Sequence, residues 1–196
     1  MPRIGVRDLF VAKVTADTPL TYTTATAPKR LAKAIQLDIN PTTVTAELYA
    51  DDGLDEKESS LVGMDISLNA NDIAPGMDAY LLGKKQDENG AVIDSKDDQA
   101  PVVALMFKAP LSEKAGGGFE YRVLYCMKFE PYSETFQSKG ENLTFQTPTI
   151  TGKAIAREKD GAFQNKLRIP NDAENDLKSI AETWFTKPYE PTGSST

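Results

Sequence analysis

Residues 119–129 read FEYRVLYCMKF, and the way that stretch folds decides the rest of the chain. A strand turns successive side chains to opposite faces. Read as one strand, it sets Tyr121, Val123, Tyr125, Met127 and Phe129 on an aromatic, buried side, with Arg122, Leu124, Cys126 and Lys128 on the other. Two more strand-like runs flank it, VVALMFKA at 102–109 and LTFQTPTITGKAIAR at 143–157. Gly116-Gly117-Gly118 lets the chain reverse between the first two. The stretch from 100 to 157 reads as the body of a β protein.

Further from this centre, Ile4–Val14 alternates loosely as a first strand, and a short extended piece is expected around Leu20–Thr24. Ile35, Leu37 and Ile39 alternate with Gln36, Asp38 and Asn40; Val44, Ala46 and Leu48 alternate with Thr45, Glu47 and Tyr49. Asn40-Pro41 between them suggests a bend or tight turn, since proline gives no N–H to a ladder. Asp51–Ser60 (DDGLDEKESS) reads as a polar loop with five acids and one lysine. Val62, Met64, Ile66, Leu68 and Ala70 then alternate strictly with polar residues or glycine. Together, 35–50 and 62–70 predict a long antiparallel ribbon with one apolar and one polar face.

Helical signals are few. Pro75 in a first turn and Gly83 as a stop frame a helix over 74–82, with Met77, Tyr80 and Leu81 on one face. Near the end, Asn171 with Glu174 has the capping-box pattern, and Leu177, Ile180, Ala181 and Trp184 form a stripe at helical spacing. Asn89-Gly90 is a hairpin signal, and Ala162–Ile169 reads as a last short strand. No internal repeat interrupts the chain, so residues 1–191 are expected to form one domain, with 192–196 a flexible tail.

Composition narrows the function. With 40% hydrophobic and 26% charged residues the 196-residue chain should be globular. Its net charge of −7 argues against a partner held through phosphates in a basic groove. There is no histidine, which removes Ser-His and Cys-His nucleophilic systems and imidazole metal sites. The one cysteine, Cys126, excludes an internal disulfide and reads as a small buried hydrophobe. No run approaches transmembrane length, and MPRIGVRDLF lacks the apolar core of a secretion signal, so synthesis in the cytoplasm without membrane contact is expected.

The acidic pairs Asp51-Asp52, Asp55-Glu56 and Asp97-Asp98 are the one set of candidates for catalysis, and they fit no metal-loop spacing. They read as solvated loop acids. No enzyme activity, catalytic residue, metal or cofactor is expected. What remains is a mostly β chain with long amphipathic strands. Residues 62–70 carry little edge protection, having one charge, Asp65, on the polar face. Self-assembly follows as the working hypothesis.

Several phrases then carry a resemblance. MPRIGVRDLFVAKV at the start, LYADDG at 48–53, DDQAPVVALMF at 97–107, FQSKGENLTFQTPTITGKAIAR at 136–157 and WFTKPYEP at 184–191 resemble the major tail proteins, or tail-tube proteins, of phages with long non-contractile tails that infect Gram-positive bacteria. The likeness runs in order over residues 1–191. It implies a mainly β fold, a β-sandwich or partial barrel with one or two short flanking α-helices, as in the tube of type VI secretion. It also implies hexameric rings stacked into a tube in the virion tail. The partners would be further copies of the chain, the tape-measure protein and other tail proteins, with genomic DNA passing through the lumen without specific binding.

On that resemblance the inter-ring contact loop would be Asp51, Asp52, Gly53, Leu54, Asp55, Glu56, Lys57, Glu58, Ser59 and Ser60, too polar to order before stacking. An acidic lumen would let DNA slide where a basic one would grip it. Asp38, Glu47 and Asp65, on polar strand faces, are the candidates to line it. Two other readings stay open. One is a different ring-forming tail part, a terminator or distal-tail protein. The other is a monomeric β-sandwich binding module, which would want an exposed aromatic platform from Tyr121, Tyr125 or Tyr132.

Overall fold

The computed structural model describes residues 2–25, 27–50, 53–138 and 145–191. Eleven strands and two helices follow one another along these residues. They are β1 (Arg7–Asp17), β2 (Tyr22–Thr24), β3 (Lys29–Arg30), β4 (Ala34–Ala50), β5 (Gly53–Ala70), α1 (Pro75–Leu82), β6 (Lys85–Gln86), β7 (Val92–Ile93), β8 (Val103–Pro110), β9 (Phe119–Phe129), β10 (Thr149–Ile155), β11 (Gln164–Ile169) and α2 (Asn175–Thr183). The fold is mainly β with short flanking helices, as the sequence predicts.

Nine strands form one antiparallel sheet in the order β2-β1-β8-β9-β10-β5-β4, with β3 added to β1 and β11 to β9. β9 is the centre. β8 covers one of its edges throughout; on the other, β11 takes residues 119–124 and β10 takes 126–129. The sheet curls into a partial barrel, so that Leu9 and Val11 of β1 share a core with Ile66 and Leu68 of β5, Leu105 of β8 and Ile150 of β10. Leu37 and Ile39 of β4 pack on this core from the far end of the sheet, and Leu81 and Leu82 of α1 close it. A second core on the outer face gathers Tyr121, Val123, Tyr125 and Trp184, under Leu177, Ile180 and Ala181 of α2.

β9 does not keep one parity. Leu105 of β8 pairs with Leu124, yet Val103, two residues earlier, pairs with Met127. The extra residue is a bulge, and it turns Met127 and Phe129 into the inner core, while Tyr121, Val123 and Tyr125 face outward under α2. The expectation of five residues on one side is corrected accordingly. A similar shift after Ala34 leaves Ile35 exposed instead of beside Leu37.

Four other expectations change. Asn40-Pro41 makes no turn: Pro41 lies within β4, opposite Met64. β4 is an edge strand, where a missing N–H breaks no ladder. The polar loop 51–60 is mostly strand, because β5 begins at Gly53 and pairs back to Ala50. The third central strand starts at Thr149, not 143; residues 139–144 lie outside the described residues. The capping box is absent, since Glu174, not Asn171, is the N-cap of α2 and makes no side-chain cap bond. By contrast Gly83 ends α1 in the left-handed region at φ 73°, and β6 and β7 form the hairpin signalled by Asn89-Gly90.

Candidate assembly surfaces

β4 and β5 outrun their neighbours. β10 pairs with β5 from Asn69 only as far as Met64. Beyond that level the two strands are paired to each other alone, from Thr43↔Leu61 to Ala50↔Gly53. Every described side chain from 42 to 48 and from 56 to 62 is exposed. This is an arm, not a loop. Its β4 half, with Thr42, Thr43, Val44 and Thr45 in a row, suits an extended backbone. It also displays Val44, Leu48, Leu61 and Val62, exposed by 58, 55, 38 and 49%.

The ten residues expected to contact the next ring therefore divide. Asp51 and Asp52 lie outside the described residues, as do the side chains of Leu54 and Asp55, while Gly53 opens β5 opposite Ala50. Glu56, Lys57, Glu58, Ser59 and Ser60 are strand residues paired with Leu48, Glu47, Ala46, Thr45 and Val44. Glu56 and Glu58 share one side of the ribbon by alternation, and Lys57 takes the other, 2.7 Å from Glu47. One side of the arm is acidic. The other holds a neutral ion pair.

The three acids proposed for a lumen do not share a face. Asp38 pairs with Ser67, and Asp65 with Asn40, on the outer surface of β4 and β5. Asp38 accepts from Gln36 Nε2 at 2.7 Å, and Asp65 accepts from Thr42 Oγ1 at 2.7 Å. Glu47 has the parity of Leu37 and Ile39, so it belongs to the opposite face. The face holding Asp38 and Asp65 continues through Lys153 and Lys128, which pair with each other, to Glu130. It is polar and mixed in charge.

Away from the arm, at the end of the sheet where α1 follows β5, two lysines converge. Lys13 and Lys29 place their ammonium groups 4.5 and 4.4 Å from the centroid of the Tyr80 ring. The ring is held by its hydroxyl, which accepts a 3.0 Å hydrogen bond from the Lys13 backbone N–H. Sequence reasoning missed this pair, because residues 13, 29 and 80 meet only through the tertiary fold.

Two buried ionic groups serve the body. Glu120 is 1% exposed and accepts hydrogen bonds from Arg3, Arg122 and Arg168 at 2.6–2.9 Å. Burial alone would raise its pKa, but Arg168 and Arg122 bring it down to about 2. Arg157, 1% exposed, makes two hydrogen bonds to Asp160 and one to Glu190, and lies 3.9 Å from the Tyr125 ring centroid. It ties the C-terminal segment to the outer core. The Cys126 thiol is buried, donates to Asp17, and is pushed up to about 12 by that burial and then by the Asp17 carboxylate.

Tyr121 and Tyr125 are core residues and Tyr132 is half-buried, so the three form no exposed platform. Among the described side chains the aromatics Phe136 and Phe145 stand out by exposure, at 86 and 95%, in the segment between β9 and β10. A cleft of about 490 Å³ opens beside that segment, lined by Asp72, Ile73, Tyr132 and Glu134 among others. Among the described residues no three His, Cys, Asp or Glu side chains are grouped to hold a metal ion, and no helix is long and apolar enough to cross a membrane. No protein-family model and no curated protein sequence matches the chain.

Proposed function

We propose that this chain is a tail-tube subunit, a structural protein that assembles with copies of itself into hexameric rings stacked as a phage tail tube. The observation that carries the reading is the arm. An isolated two-stranded ribbon is marginal in water, and this one exposes four large aliphatic side chains that none of the described residues covers. Covering each would contribute on the order of 1 kcal/mol. The free edge of β4, 17 residues long, offers a further surface for another copy. The resemblance of residues 1–191 to tail-tube proteins supplies the ring-and-tube form.

In this reading the polar face holding Asp38 and Asp65 lines the lumen, where carboxylates mixed with the two lysines, Lys128 and Lys153, leave DNA little to grip. Tape-measure protein would occupy the same space during assembly. The buried Tyr121 and Tyr125 count against a binding module that stacks ligands on those rings.

Negative-stain microscopy of the purified protein separates the alternatives. Tubes are expected. Single rings that never stack would favour a terminator or distal-tail part, and particles that stay monomeric up to high concentration would overturn the assembly reading.

A further inference from the structure

We infer that the acidic side of the arm docks on the Lys13–Lys29–Tyr80 cluster of a second copy of this chain. The inference rests on the assembly reading above and names the two surfaces that meet. The chain carries a net charge of −7, yet two ammonium groups share one ring. Their separation is within about one Debye length, so they repel. Among the described residues neither has a carboxylate within ion-pair distance. Lys33, exposed between β3 and β4, adds a third cation at that end of the sheet.

The arm supplies the complement. Glu56 and Glu58 are exposed on one side, and among the described residues neither makes an ion pair. Lys57, which would weaken their field, is turned away and neutralised by Glu47. The aromatic ring under the lysines holds the two cations in place for an arriving carboxylate.

Position decides that the contact is between copies. The arm leaves the sheet past the Pro41–Met64 pair, whereas α1, which sets Tyr80 against Lys13 of β1, follows the opposite end of β5. Along the ladder Lys13 is in register with Val103, Met127, Ala154 and Met64, so four strand spacings of about 4.8 Å and the roughly 20 Å of β5 between Met64 and Glu58 lie between it and the acidic side of the arm. The arm of one copy therefore cannot reach its own lysine pair. Surfaces at opposite ends make a head-to-tail contact, which repeats without closing on itself as a two-fold dimer does. The arginines around Glu120 are a poorer acceptor: a buried carboxylate already engages all three.

The test is a charge swap followed by sedimentation of polymer at low and high salt, with thermal unfolding to check the fold. E56K/E58K and K13E/K29E are each expected to raise the concentration needed for assembly by about tenfold or more. Combining all four substitutions should restore assembly to near the wild-type level. Should K13E/K29E not fold, the exposed pair K29E and E58K, alone and together, repeats the swap. Wild-type protein that assembles while the reversals assemble equally well, or a combination that restores nothing, overturns the docking surface and leaves tube formation standing. Wild-type protein that never assembles overturns the tail-tube reading, and the docking surface with it.

Discussion

Pro41 of β4 lies opposite Met64 of β5, and the ladder changes character at that pair. On one side of it, Met64, Ile66 and Leu68 are buried and β5 is flanked by β10. On the other, the ribbon meets solvent on both faces. Core and arm are parts of the same two strands.

Hydrogen exchange should show this boundary directly. In the unassembled subunit, amides 43–50 and 53–61 are expected to exchange at least about a hundredfold faster than those of 64–70, because two strands with no described core residue beneath them hold the arm. On assembly the same amides should become protected. Equal protection of both segments in the free subunit would mean that something within the chain covers the arm.

The Glu120 cluster predicts a specific response to acid. The folded-state pKa near 2 lies below the ordinary carboxylate value of 4.5, so its contribution is complete above about pH 4.5 and is lost as pH falls towards 2. E120Q leaves three guanidinium groups around a neutral amide and should cost about 3 kcal/mol at pH 7. Denaturant midpoints at pH 7, 4 and 3 should show the gap between wild type and E120Q closing with acid. A gap that stays constant would show that the charge of Glu120 is not what the arginines hold.

Cys126 should not react with a thiol reagent at pH 8 while the protein is folded, because both burial and Asp17 disfavour the thiolate. The same reagent should titrate one thiol in denaturant. Rapid labelling of the native protein would place Cys126 at an opening edge of β9 and not in the outer core.

How much of this was legible depends on what each residue sees. β8 and β9 could be read because residues 103–110 and 119–129 are rich in β-branched, aliphatic and aromatic side chains. The inner face of β5 was legible because Met64, Ile66, Leu68 and Ala70 alternate against a solvated side. The bulge in β9 was not, because an extra residue in one strand leaves no mark on its own alternation; it is set by the register against Leu105 and Val103. Residues 53–60 read as a loop because a strand wet on both faces loses its apolar period. Pro41 read as a turn because the sequence does not say that β4 is an edge. The lysine pair on Tyr80 joins residues 67 apart, and no local pattern reports it.

The central claim is that the arm drives assembly while the body folds without it. Replacing residues 43–62 by Asn-Gly joins the paired Thr42 and Gly63 through a two-residue hairpin. Microscopy of that variant, with its thermal unfolding measured alongside, is the most direct test. A folded subunit with nearly wild-type thermal stability that forms no tubes is the predicted result. Tubes of normal length grown without the arm would contradict the account.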